Sequence, residues 1–510
     1  MSRTDKSLKN ITFGLSAQLI TTLMTFISRT IMLKFLGLEI VSLNSLFHEV
    51  ITTLSLAELG MGSAIVYNLY KPLAENNIEK VSQLMTFFKQ AYRVIAGAIF
   101  VLGAIACFFA PKMVNGIDFP NGYLYLVFML FVINISFSYL YSYKISLLNA
   151  DQNNYIYSIY SSIYKVIGSV LLVGIMVVTK DFIIYLITNI IVTLITNILI
   201  SHKIDMKYNY LKKIPLPKED KKNIYNNVKN IFIKELSGKI TSSTDNILIS
   251  TIISTIVVGK YSFYSTILAV LKQFTERIEV SLRSSMGNLY ASGKNTECMN
   301  VLHRLTWGYC TMGIVFCTCF YSGCQSFISF WVGTDYLLEK PVIFILTINL
   351  FCYVCSKPIY SAMHVSGFFV EGRNISIIGS VVNLITSIIF AYLIGISGIF
   401  LGTFLTYFIQ IVAKVYYVYK LKFECSSRDY VWLLIKFSVV LLALVFGCDY
   451  ISTFINTSIN LLDFMLKSLI SGVISFFVLI LLFRKDREFL YFKSLALCFI
   501  YKIKNKKVLE

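Results

Sequence analysis

Long apolar runs, separated by short polar segments, fill the chain from residue 11 to residue 483. Each run reaches the ~20 residues that an α-helix needs to cross the hydrocarbon core of a bilayer. Because a lone strand in lipid leaves its backbone groups unpaired, runs of this length predict helices. The pattern therefore predicts an all-α polytopic membrane protein with about fourteen spans, near residues 11–36, 40–69, 84–110, 121–148, 155–178, 181–202, 230–258, 261–285, 305–332, 341–365, 374–395, 397–420, 430–450 and 461–483.

A short internal repeat divides these spans. Lys9-Asn10-Ile11 at the start of span one recurs as Lys229-Asn230-Ile231, and Asn68-Leu69-Tyr70 after span two recurs as Asn288-Leu289-Tyr290. Because six spans separate the copies, the halves are expected to be related by an axis along the membrane normal. The predicted organisation is a six-helix lobe at 1–205, a basic cytoplasmic linker at 206–229, a second six-helix lobe at 230–421, two extra helices at 422–484 and a basic cytoplasmic tail at 485–510.

Composition and charge fit this picture. Hydrophobic residues make up 56% of the chain and charged residues 14%, against about 25% charged in soluble proteins. With the N-terminus in the cytoplasm, the cytoplasmic segments hold about 29 Lys and Arg, and the external loops about five. The bias predicts that both termini are cytoplasmic. It also attributes the net charge of +19 to membrane orientation rather than to nucleic-acid binding.

Polar side chains within the spans recur at helical spacing. A charge in hydrocarbon is costly, so such residues usually face a cavity or a charged partner. Span one carries Gln18, Thr22, Thr25 and Arg29 on one face, and Arg29 has no carboxylate there. Local pairing, such as Lys272 with Glu276, is the alternative for span eight. The candidate cavity cations are Arg29, Lys165, Lys234, Lys239 and Lys272.

The sequence gives little support for metal binding, direct use of ATP or enzymatic activity. Cys352 and Cys355 form a CxxC pair inside an apolar run, and no second ligand pair for zinc lies nearby. No Walker motif is present, so we expect no direct use of ATP and predict no metal or cofactor. A membrane glycan polymerase or glycosyltransferase is the competing class. No loop exceeds about 30 residues, however, and the longest lacks paired carboxylates, so we expect no enzyme.

Several segments resemble polysaccharide and O-antigen flippases of the multidrug/oligosaccharidyl-lipid/polysaccharide exporter superfamily. The most specific is LSLAELGMGSAI at 54–65, which continues to YKPLA at 70–74. TDNILIS at 244–250, Gly287-Asn288 and GIFLGT at 398–403 support it, and the similarity extends to about residue 420. The resemblance implies two six-helix bundles facing each other in a V, followed by two extra helices.

The resemblance also implies a function. Such proteins move an undecaprenyl-pyrophosphate-linked oligosaccharide across the bacterial cytoplasmic membrane for O-antigen or capsule synthesis, alongside a polysaccharide polymerase and glycosyltransferases. The cavity cations would then pair with the pyrophosphate. Glu58 and Asp245 are the candidates for ion coupling. The alternatives are a lipid II flippase and a multidrug or metabolite antiporter. The candidate cavity residues include more Lys and Arg than Asp and Glu, which favours an anionic substrate over the cationic drugs of an antiporter.

Overall fold

The computed structural model describes residues 3–54, 61–151, 153–218, 220–221, 244–291, 295–455, 457, 459–494 and 497. These residues form helices and connecting segments, with no strand among them. The helices are α1 (Arg3–Leu54), α2 (Met61–Ala74), α3 (Ile78–Cys107), α4 (Ala110–Met113), α5 (Asn121–Ala150), α6 (Asn154–Thr179), α7 (Phe182–Lys207), α8 (Thr244–Ile253), α9 (Thr255–Ala291), α10 (Asn295–Trp331), α11 (Lys340–Val365), α12 (Phe369–Ile394), α13 (Ile396–Tyr416), α14 (Arg428–Ser452) and α15 (Asn460–Phe483).

Within the described residues, eleven helical stretches are long and apolar enough to cross a membrane. Ten of them match predicted spans three to six and nine to fourteen, and the remaining stretch, Gln18–Thr53, joins span one to the start of span two. The first half of predicted span seven, residues 230–243, lies outside the described residues, and its second half falls in α8 and the start of α9. Predicted span eight lies in α9. The charged residues of α9 make it less apolar than the eleven stretches above, so it is not one of them. The prediction of an all-α polytopic membrane fold is confirmed.

Spans one and two are not joined by a polar loop. The segment α1 consists of two helices that meet at Gly37, whose backbone is not helical, with φ of 84° and ψ of 171°. This backbone region is open to glycine and strongly disfavoured for residues that carry a Cβ. A single glycine therefore separates the two spans, which explains why no run of polar residues marks the junction.

Replacing Gly37 with alanine should lower the free energy of unfolding by about 1–3 kcal/mol. The whole cost should come from the backbone, because an added Cβ would meet no atom within 4 Å. Gly97 is the matched control, since it lies inside α3 and an added Cβ there also meets open space. Gly97→Ala should be neutral or stabilising. Thermal unfolding in detergent measures both, and equal midpoints for the two variants would contradict the strain at Gly37.

The chain divides into two compact units, Met1–Ser262 and Phe263–Glu510. In the first unit α3 packs on α5, α5 on α7, and α1 on α6. In the second unit α12 packs on α13, and α10 contacts α11, α14 and α15. Helices α14 and α15, predicted as extra to the lobes, thus pack on α10. The predicted lobe boundaries at 205 and 230 stay a prediction.

Candidate functional site

A group of cationic side chains lies in the first unit, where α1 packs against α6. Arg29 of α1 and Lys165 of α6 both act electrostatically on His48 of α1, which places the three side chains in one region. The side chains of His48 and Lys165 are exposed, and that of Arg29 is half-buried. We call Arg29, His48 and Lys165 the α1–α6 cation cluster.

One atom of this cluster lacks a partner. The Nη1 of Arg29 is buried and makes no hydrogen bond within the described part of the chain. A buried donor without an acceptor costs free energy, more so when it carries charge. Two other residues on the polar face of span one do pair with each other: Gln18 Nε2 donates to Thr22 Oγ1, one helical turn later, at 3.5 Å. An anionic ligand that reached Arg29 would supply the missing acceptor.

A second group of charges lies in the second unit, around Tyr353 of α11. The Nζ of Lys357 lies 4.1 Å from the ring centroid of Tyr353, and the Nζ of Lys272 lies 5.2 Å from it. The Tyr353 hydroxyl donates to Glu276 Oε1 at 2.5 Å. Lysines over an aromatic face are stabilised by the ring quadrupole. Lys272, predicted from span eight, therefore has an aromatic partner on another helix.

The two carboxylates of α9 face Lys357. Its Nζ lies 3.7 Å from Glu276 Oε1 and 4.0 Å from Glu279 Oε2. Glu279 is buried at 5% exposure, and it accepts a hydrogen bond of 2.7 Å from Ser361 Oγ. The charges of span eight are thus compensated in part from α11. We call Lys272, Glu276, Glu279, Tyr353 and Lys357 the Lys357 cluster.

Lys414 of α13 lies beside this cluster and is 6% exposed. Its Nζ donates to Gln410 Oε1 at 3.2 Å and lies 5.1 Å from the ring centroid of Tyr360. Lys357 acts on it electrostatically. Cations therefore extend from half-buried Lys357 on α11 to buried Lys414 on α13.

The sequence analysis missed His48, Lys357 and Lys414. Tyr353, Lys357 and Ser361 follow one another at four-residue spacing, as do Gln410 and Lys414, and that stripe could have identified the two lysines. Of the predicted residues, Arg29 and Lys165 lie together in the first unit, whereas Lys272 lies in the second. Asp245 is half-buried on α8. Glu58, Lys234 and Lys239 lie outside the described residues.

No protein-family model and no curated protein sequence matches the chain. Solved structures do match it. The lipid II flippase MurJ, in an inward closed conformation, is 17% identical over 93% of this chain and 99% of that chain, with a TM-score of 0.71. An inward-facing multidrug resistance MATE family transporter of the MOP superfamily is 14% identical over 82% and 95%, with a TM-score of 0.61.

A MOP superfamily transporter from Pyrococcus furiosus is 13% identical over 80% of this chain and 94% of that chain, with a TM-score of 0.54. At such identities the similarity establishes the fold. The chain is therefore a multi-pass membrane protein with the fold of the lipid II flippase and of MOP-superfamily transporters.

Proposed function

We propose that the protein is a flippase that moves an undecaprenyl-pyrophosphate-linked oligosaccharide across the bacterial cytoplasmic membrane for O-antigen or capsule synthesis. The observation that carries this proposal is Arg29, whose Nη1 is buried without a hydrogen-bond partner in the described residues. Lys165 and His48 lie in the same region. The similarity to a lipid II flippase supports a substrate of the lipid-linked class.

The physical argument concerns the headgroup. Sugars and pyrophosphate cannot cross hydrocarbon unaided, since each buried polar group costs several kcal/mol without a partner. Cations bind phosphate oxygens through charge-assisted hydrogen bonds. In this proposal the α1–α6 cation cluster holds the pyrophosphate, while the polyprenyl tail stays in lipid. Lys234, Lys239 and Lys272 remain further candidates for binding the substrate. Both termini are cytoplasmic, and Glu58 and Asp245 couple an ion to transport.

Two other functions compete with this one, and the charges bear only on the antiporter. Lipid II transport is the second candidate, favoured by the match to MurJ over 93% of this chain. Antiport of cationic drugs would require free carboxylates in the pathway. Glu276 and Glu279, which belong to the Lys357 cluster, already interact with Lys357, which disfavours that role for them.

The test uses the purified full chain in proteoliposomes. An undecaprenyl-pyrophosphate-linked oligosaccharide is placed in the inner leaflet, and its arrival outside is followed with a membrane-impermeant glycosidase. We expect faster arrival than in protein-free vesicles. Lipid II and a quaternary ammonium dye are assayed in parallel. Movement of lipid II alone would support the second candidate, and movement of the dye alone would contradict recognition of an anion.

A further inference from the structure

A polar pocket of about 170 Å³ lies within the second unit. It is formed by the C-terminal turns of α10, the first turn of α11, the last turn of α14 with the residue after it, and the first half of α15. Lys340 and Thr453 are exposed, so the pocket opens to the surface. It contains none of the residues of the Lys357 cluster. The residues used below are Tyr321, Ser322, Lys340, Asp449, Thr453 and Lys467.

The charges that line the pocket are already balanced. Lys340 Nζ lies 3.1 Å from Asp449 Oδ2, and Lys467 Nζ lies 2.7 Å from Asp463 Oδ2. Asp463 also accepts a hydrogen bond of 2.5 Å from Ser326 Oγ. Because each of these charges has an opposite partner, an ionic ligand would have to break a pair before it could bind. The pocket therefore favours a ligand without net charge.

The remaining polar groups favour a ligand with hydroxyls. Ser322 is 7% exposed, and its Oγ makes no hydrogen bond within the described residues. An unpaired buried hydroxyl is a cost that a ligand hydroxyl could remove by donating or accepting. Lys340 and Asp449 offer further donors and acceptors at the rim, and Tyr321 adds an aromatic ring to the wall.

The size of the pocket limits the ligand further. A protein cavity of about 150 Å³ can enclose a benzene ring. A pocket of about 170 Å³ is therefore large enough for one six-membered ring. From the balanced charges, the unpaired hydroxyl and this size, we propose that the pocket binds a single neutral pyranose sugar. The proposal does not rest on the proposed transport function, since the pocket lacks the candidate cavity cations.

The test uses the full chain in phosphatidylcholine nanodiscs, prepared without glycoside detergents. Saturation-transfer difference NMR is recorded with methyl glucopyranoside, methyl galactopyranoside, N-acetylglucosamine and phosphoethanolamine at millimolar concentration. We expect a response from at least one pyranoside. Ser322→Ala should weaken its binding about 2- to 10-fold, as expected for one lost neutral hydrogen bond. Thr453→Trp, at the exposed rim, should abolish the response by filling the mouth.

Thermal unfolding separates a binding role for Ser322 from a structural one. Ser322→Ala should leave the midpoint unchanged or raise it, because the hydroxyl it removes has no hydrogen-bond partner among the described residues. Ser475→Ala is the control, since Ser475 Oγ donates to Thr318 Oγ1 at 2.9 Å outside the pocket. That variant should lower the midpoint and bind sugar normally. Absence of any pyranoside response, a response to phosphoethanolamine alone, or a response that both pocket variants leave intact would overturn the proposal.

Discussion

Replacing Arg29 with alanine should reduce transport of the pyrophosphate-linked substrate about 30-fold or more. Loss of one partner from a desolvated, hydrogen-bonded charge pair costs about 2–5 kcal/mol, which corresponds to that factor or a larger one. The fold should be little affected, because the buried Nη1 has no protein acceptor to lose within the described residues. The readouts are transport in proteoliposomes, surface polysaccharide in a strain that lacks the native gene, and protein level in the membrane fraction.

Arg29→Lys tests the geometry of this contact. Lysine keeps the charge but presents a single ammonium, whereas the planar guanidinium can bind two phosphate oxygens at once. We therefore expect transport between that of the native protein and that of the alanine variant. Arg428→Ala is the control, since Arg428 is exposed at the start of α14 and should be dispensable. Full transport by a well-expressed Arg29→Ala variant would refute the role of Arg29, and Lys165 and Lys239 would be tested next.

The membrane helices could be predicted because lipid leaves the backbone so few alternatives. A run of ~20 apolar residues in hydrocarbon must satisfy its own hydrogen bonds, and a helix does so within one segment. The same argument says nothing about how two spans connect. Gly37 shows why, because this single residue with positive φ joins the helices of spans one and two without any polar loop.

Charged residues of the candidate site could be predicted only where polar residues recur at helical spacing on the same helix. Arg29 was identified because its helix face carries other polar residues at helical spacing. Lys357 lies on a polar stripe of α11, with Tyr353 and Ser361 at four-residue spacing, but that spacing does not show that its partners Glu276 and Glu279 lie on α9. Spacing within one helix identifies a polar face and not the distant charges that compensate it. Helix packing decides whether such a charge is paired or free to bind a ligand.

Replacing Lys357 with methionine should therefore destabilise the second unit, by about 3 kcal/mol. Removing one partner of a buried ion pair typically costs 3–5 kcal/mol, because the remaining buried charge loses part of its compensation. Glu279 fits this case, with a side chain that is 6% exposed beside a Lys357 side chain that is 14% exposed. Glu276, whose side chain is 53% exposed, should contribute little. Chemical unfolding in detergent measures the loss.

The double variant Lys357→Met with Glu279→Gln should recover most of that stability. Glutamine removes the negative charge that Lys357 compensated and keeps an oxygen that can accept the hydrogen bond from Ser361. Lys71→Met is the matched control, since Lys71 Nζ lies 3.9 Å from Glu75 Oε1 and the two side chains are 85% and 55% exposed. An exposed pair is worth about 0–1 kcal/mol, so this variant should unfold nearly as the native protein does. Two results would contradict the prediction: Lys357→Met being no more destabilising than Lys71→Met, or Glu279→Gln adding to the loss of stability. Either would show that burial does not determine how much the Lys357–Glu279 pair contributes to stability.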